Sequence, residues 1–592
     1  MWSCSRLLVP LLGMMLFRSV HAAPPAPVDV ELVKRAGRNC NTASNRRTWC
    51  DGFSLDTDYE VPGNTPTGTV VSYTFVLTEV NNWVGPDGVV KNKFMLVNGQ
   101  YPGPTIVADW GDTIQVTVIN NLETNGTSIH WHGVRQLNSN IQDGANGLTE
   151  CPIPPKGGSK VYRFRATQYG TSWYHSHFSA QYDNGIVGTI LINGPASLPY
   201  EVDLGVFPIT DYYYASADEL LAITSRNAPP PADNILFNGT NKHPSTGQGR
   251  YAEVTLTPGK RHRLRIINTS ADASFTVSLV DHDMTVIASD FVPVQSVTVN
   301  KLFVAIGQRF DVTIDASKVV GNYWFNVTFE ASGACGASVN PHPAAVFRYQ
   351  GAPKTDPTNP GTAVVPEPCV DKLDLVPVVT RTVSTSDFQP TIDNTLNVSL
   401  DLAPTFVWKI NSSAINVDWN RPVLEYVMEG NTSYPQSENI ISVNGKDRWA
   451  YWLIENEVGF NIAHPLHLHG HDFVVLGRSA VGAIGPFNAA ADTRTLNGNN
   501  PARRDVTMLP AQGWVVLAFR TDNPGAWLFH CHIAWHVSAG LAVDFLENVG
   551  DLRQNIAPGD KADFDRNCNA WRAYFPEFDP FPKTDSGLRM MN

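Results

Sequence analysis

Three observations predict an all-β protein built from sandwiches or barrels. Short runs rich in Val, Ile, Thr, Tyr and Phe recur between Gly, Pro and Asn turns, as at 113–119, 160–165, 263–267 and 514–519. At 592 residues the chain is long enough for three or four such domains. A faint internal repeat also divides it: 110–120, 258–268 and 448–456 each run from a turn through a strand into Asn. Breaks fall at Asn193-Gly194-Pro195 and across the Pro- and Gly-rich stretch 351–368.

The N-terminus comes first. Residues 1–22 have Arg6, an apolar run over 7–17 and the small exit Ala22-Ala23, the pattern of a secretory signal peptide. That run is too short to span a bilayer, and no later segment is long and apolar enough to do so. The dibasic Lys34-Arg35 marks the end of a propeptide at 23–35. A formal charge of −12, with no basic face, argues against nucleic acid as a partner. Of eight cysteines, Cys4 lies in the signal and Cys531 in a histidine cluster; the remaining six suggest three disulfides in an exported chain, with fifteen connectivities open. Seven Asn-x-Ser/Thr sequons, at Asn125, Asn238, Asn268, Asn326, Asn397, Asn411 and Asn431, fit surface glycosylation.

Histidine carries the chemistry. His130-Trp131-His132-Gly133, His175-Ser176-His177, the run from His464 through His467 to His469, and His530-Cys531-His532 with His536 hold ten of the sixteen histidines. One His-x-His is common in strands that bind nothing; four such clusters in one chain point to metal. On a strand, Cys531 faces one way and His530 and His532 the other, so a single cysteine sits between two sites. Imidazoles with one thiolate suit a blue-copper electron-transfer site rather than structural zinc, which favours closed sets with several Cys. A His₂Cys site of His464, Cys531 and His536 leaves eight imidazoles, enough for a cluster of about three ions open to a small ligand such as dioxygen.

These four motifs, in this order, resemble those of the multicopper oxidases, and within them the ascomycete-type fungal laccases. The likeness runs from about 40 to 588 and includes the stretches 143–158 and 521–536. It implies three consecutive cupredoxin-like Greek-key domains at 36–195, 196–368 and 369–588, the middle one without copper ligands. The repeat agrees: the segment 282–287 echoes 471–476, but Ser278 and Val280 stand where the second copy has His467 and His469. By the same echo His471 is structural, like its twin His282. The resemblance implies four copper ions: a type 1 ion on His464, Cys531 and His536; a type 2 ion on His130 and His467; and a type 3 pair on His132, His175 and His532 and on His177, His469 and His530. It also implies the disulfides Cys40–Cys50, Cys151–Cys568 and Cys335–Cys369.

The family's axial position falls at Leu541, and Leu cannot coordinate, which raises the type 1 potential. The resemblance offers Ala228, Pro229, Phe406, Trp408, Phe460, Ile462 and Trp535, with His536, as the walls of a donor cleft. Flat apolar walls suit an aromatic ring. Asp272 would accept the phenolic proton, although Asp is common in turns such as Ser-Ala-Asp-Ala-Ser. Asp143 is a candidate for proton supply to the cluster. The expected activity is that of a secreted monomeric laccase acting on phenols and dioxygen. The alternatives are a ferroxidase, which wants carboxylates beside His536; an ascorbate oxidase, with Met at the Leu541 position; or a non-catalytic copper protein, which needs no eight further imidazoles. Asp585-Ser586-Gly587-Leu588 resembles a processed laccase terminus, so 589–592 is expected to be removed.

Overall fold

The computed structural model describes residues 40–575. The expected signal peptide, the propeptide and the C-terminal segment 585–592 lie outside the described residues.

The described residues form six sheets, packed as three successive pairs. The first pair uses strands between Val70 and Asn193, the second those between Val202 and Tyr349, and the third those between Thr395 and Glu547. The strand Thr113–Asn120 shows the underlying pattern: every second side chain is buried, as expected for a strand with one face on a core. By contrast Gly525–Cys531 is buried along its whole length, because it lies inside the third sandwich and against the first.

The faint repeat becomes a repeated construction. Thr113–Asn120, Arg261–Asn268 and Trp449–Asn456 each pair in parallel with the first long strand of their own unit. Each ends in a buried Asn. The Nδ2 of Asn120 donates to the carbonyls of Asn125 and Ile153, that of Asn268 to Ala273 and Val304, and that of Asn456 to Ile462 and Pro510. The Oδ1 of each accepts the backbone N–H two residues on. An amide with all these bonds made closes the loop after the strand without leaving a buried polar atom unpaired. Asn268 is therefore a clamp rather than a glycan site, which corrects the expectation for that sequon. Asn125 is likewise buried.

His282 and His471 also occupy matching places. The Nδ1 of His282 lies 2.8 Å from the carbonyl of Val280, and that of His471 lies 3.2 Å from that of His469. Their Nε2 atoms face Tyr349 Oη at 2.7 Å and Glu547 Oε2 at 3.0 Å.

The structure pairs Cys40 with Cys50, Cys151 with Cys568 and Cys335 with Cys369; among the described residues Cys531 alone is a free thiol. The Cys151–Cys568 bridge ties the long helix Pro558–Tyr574 back to the first unit across 417 residues. On that helix Trp571 is fully buried beside Phe178 and Trp419. No described helix is long and apolar enough to cross a membrane. Replacing Cys568 with Ser should lower unfolding stability by about 2–4 kcal/mol. Denaturant midpoints of the two proteins would check it, and an unchanged midpoint would show that the helix is held by packing alone.

Candidate metal centre

Strand register builds the site. In the first unit His130 lies opposite His175, and His132 opposite Trp173. In the third unit His467 lies opposite His530, and Leu466 opposite Cys531. Directly opposed residues share a face. His467 and His530 therefore point to one side of their sheet, while Cys531, with Leu466 and His464, points to the other. The strands end early: His177, His469 and His532 each lie one or two residues past a strand. His536 stands on the short helix Ala534–Ser538, not on the strand that carries Cys531.

Two constellations result. On the inner face, Cys531 Sγ lies 3.6 Å from both His464 Nδ1 and His536 Nδ1, and those two nitrogens are 3.2 Å apart. On the outer face, eight imidazoles from the first and third units converge. His130 stacks on His469 at 3.8 Å between ring centres, and His132 on His467 at 3.9 Å. The Nε2 atoms of His469 and His530 are 3.3 Å apart, and His532 Nε2 lies 3.2 Å from His132 Nδ1. The ligand atoms of His130, His467 and His469 lie within 4.8 Å of one another, as do those of His177, His469 and His530. A cavity of about 20 Å³ beside His175, His177, His530 and His532 has room for a species the size of water.

Four rings have one nitrogen tied to a backbone carbonyl. The Nδ1–H of His130 donates to the carbonyl of Asp143 at 2.9 Å, that of His467 to Asp505 at 2.9 Å, that of His175 to Ser176 at 2.9 Å and that of His530 to Cys531 at 2.8 Å. This leaves the Nε2 of His130, His175 and His467 buried with no hydrogen-bond partner. Orphaned buried nitrogens that converge on one another are costly unless a cation takes up their lone pairs.

Electrostatics point the same way. Burial, reinforced by neighbouring imidazoles, holds His132, His175, His177, His467, His469 and His532 far below the usual histidine range. Burial pushes His464 down to about 3 and His530 to about 4, and it also lowers His536 strongly. The rings are neutral, as ligands must be. Burial pushes the Cys531 thiol up, so a cation at that site is what would make it a thiolate. The donor set fits copper: imidazoles and one sulfur, with no second cysteine.

Three charged residues hold the frame. Asp143 Oδ2 lies 2.8 Å from His469 Nδ1 and its Oδ1 lies 3.3 Å from His130 Nδ1. Asp505 Oδ1 lies 3.2 Å from His132 Nε2, and both Asp505 oxygens accept from Arg309 at 2.6 Å. Arg309, from the second unit, also donates to the carbonyl of Thr171 in the first. A Cβ at Gly133 would strike this ion pair, which explains the glycine of the His-Trp-His-Gly motif. Sequence reasoning missed Asp505 and Arg309. The only signal for Asp505 was the charged run Arg503-Arg504-Asp505 directly before the strand Val506–Leu509.

Three multicopper oxidase family models match the chain, over 77–197, 203–352 and 408–551. The chain belongs to the multicopper oxidases. Laccase-1 of Melanocarpus albomyces is 61% identical over 98% of this chain and 96% of its own length. Laccase-2 of Podospora anserina is 60% identical over the same shares. The crystal structure of the laccase from Botrytis aclada superposes with a TM-score of 0.85 at 38% identity, covering 92% of this chain and 99% of that one. Within the multicopper oxidases this chain is thus of the ascomycete-type fungal laccase group.

The donor side of this multicopper oxidase is only partly as expected. Trp408 packs 4.2 Å from the His536 ring and Trp535 6.1 Å from Tyr213, and both are buried. Ala228 and Phe460 are exposed, and Pro229, Phe406 and Ile462 are half-buried. Phe406 N–H donates to the carbonyl of Ser225, which joins two of these loops. Asp272 is half-buried, on a turn bonded to the His536 helix. Leu541 is fully buried, and its carbonyl accepts from Cys531 N–H.

Asp143→Asn would present an NH₂ group or a weaker oxygen to His469 and His130. Copper affinity should fall by about 10–100-fold. Copper-to-protein ratios after dialysis against a chelator check this, and an unchanged ratio would refute the orienting role.

Proposed function

We propose that this laccase removes electrons singly from phenolic donors beside His536 and couples four such oxidations to the reduction of dioxygen to water. The observation that carries the reading is Cys531, whose side chain sits with His464 and His536 while its two sequence neighbours belong to the eight-imidazole group. Copper, when bound, supplies the one-electron acceptor at the first set and the four-electron reduction at the second. In this reading one ion would be held by His464, Cys531 and His536, beside the non-coordinating Leu541. A second would be held by His130 and His467. The remaining pair would be held by His132, His175 and His532 and by His177, His469 and His530.

The chain's own work is binding, proton handling and exclusion of water. Ala228, Pro229, Phe406, Phe460 and Ile462 offer an apolar surface for an aromatic ring. Asp272 takes the phenolic proton as the electron leaves. Asp143, besides holding His469, is the candidate proton source on the dioxygen side. Burial of both histidine sets keeps bulk water away from the path between them. The three domains span 36–195, 196–368 and 369–588, and the mature enzyme is a secreted monomer lacking both terminal segments.

Burial, with Asp211 and Asp183 nearby, pushes the Asp272 carboxyl up to about 8. Below that value it is protonated and cannot accept a proton. For a phenol, kcat/KM should therefore rise with pH along an acid limb that Asp272→Asn removes, whereas a donor that loses no proton, such as ferrocyanide, lacks the limb in both proteins. An identical profile for wild type and variant would sink the role of Asp272. Cys531→Ser should abolish both the intense blue absorption and phenol oxidation, and retention of both would overturn the assignment.

A further inference from the structure

The turn that carries Asp272 is held by a second carboxylate. Asp211, 2% exposed, stands near the end of the strand Val202–Tyr212. Its Oδ1 accepts from Ala271 N–H at 2.7 Å, and its Oδ2 accepts from the N–H groups of Asp272 at 2.8 Å and Ala273 at 3.0 Å. The Asp211 N–H donates to Ser270 Oγ at 3.0 Å, and the Tyr213 hydroxyl donates to Asp211 Oδ2 at 3.4 Å. A carboxylate is costly to bury, and three successive peptide donors are the usual compensation. The other side of the turn faces the metal ligands. The carbonyl of Ala271 accepts at 2.9 Å from the N–H of Ala534, the first residue of the helix Ala534–Ser538 that bears His536. One carboxylate thus anchors a peptide whose side chain is Asp272 and whose carbonyl holds the helix of His536.

We propose that Asp211 is the positioning residue for phenol deprotonation: it holds the 271–273 peptide so that the Asp272 carboxyl stays in register with the donor edge of His536. The proposal rests on the reading of Asp272 as proton acceptor. Asp211→Asn keeps the size of the side chain but can accept through one oxygen only, leaving at least one of the three peptide N–H groups orphaned.

The test uses the copper-loaded, full-length enzyme with two donors, a dimethoxyphenol and ferrocyanide, the latter giving up an electron and no proton. In Asp211→Asn, kcat/KM for the phenol should fall about 10–100-fold, through kcat rather than KM, while ferrocyanide oxidation changes by less than about 3-fold. Equal losses for both donors would mean that Asp211 only supports the fold, and no loss for either would mean that the turn does not need it; both results overturn the proposal. Asp272→Asn, measured in parallel, separates the two readings. A selective phenol loss there with none in Asp211→Asn removes the Asp211 proposal alone, whereas no phenol loss in Asp272→Asn removes the underlying reading as well. In the double variant the loss should be smaller than the product of the single losses, because both act through one carboxyl; a full product would also count against the proposal. If Asp211→Asn is not secreted, Tyr213→Phe deletes only the hydroxyl donor to Oδ2. The phenol-to-ferrocyanide ratio should then fall about 2-fold or more, and an unchanged ratio overturns the proposal.

Discussion

Everything at the centre depends on keeping imidazole rings neutral, buried and aimed. A buried imidazole is best aimed as a ligand when one nitrogen is tied to an acceptor and the other is left to a cation. The protein meets this by lending backbone carbonyls: Asp143, Asp505, Ser176 and Cys531 each hold a ring Nδ1–H. Each of those carbonyls belongs to the same unit as the ring it holds, and side chains join the units instead: Asp143 of the first unit reaches His469 of the third at 2.8 Å. Arg309 brings the second unit into this arrangement, because it binds Asp505 and the Thr171 carbonyl at once.

The same frame serves both faces of one strand. Alternation along Gly525–Cys531 sends Cys531 into the third sandwich and His530 toward the first unit, and His532 continues that alternation just beyond the strand end. The link between the donor side and the dioxygen side is therefore covalent and very short. Its rigidity comes from burial of the entire strand, which leaves no room for a register slip. The middle unit contributes differently. It keeps the shared sandwich architecture and the Asn clamp but supplies a structural cation and the turn that bears Asp272 in place of ligands.

Much of this was legible in the chain. Runs rich in Val, Ile, Thr, Tyr and Phe between turn residues pointed to sandwiches, and the Asn at the end of each repeat proved to be a common clamp. Four histidine clusters pointed to metal because the residue type itself is the chemistry. The echo between His282 and His471 separated a structural histidine from the ligands beside it, and the two rings do face the same carbonyl two residues back. The sequon at Asn268 misled, because a three-residue pattern carries no information on burial. The burial of Trp408 and Trp535 was not legible either, since an aromatic residue reads the same whether it lines a cleft or packs beneath one.

The sequence by itself determined the fold class, the ligand chemistry and the single cysteine between two sets of imidazoles, because each of these is written in local spacing. Only the tertiary structure decided which ring meets which, that His536 sits on a helix rather than a strand, that Asp505 and Arg309 carry the frame, and that Asp211 holds the turn of Asp272. Those pairings join residues tens to hundreds of positions apart. Such a pairing is set by strand register and by the packing of whole units, and neither leaves a local mark in the chain.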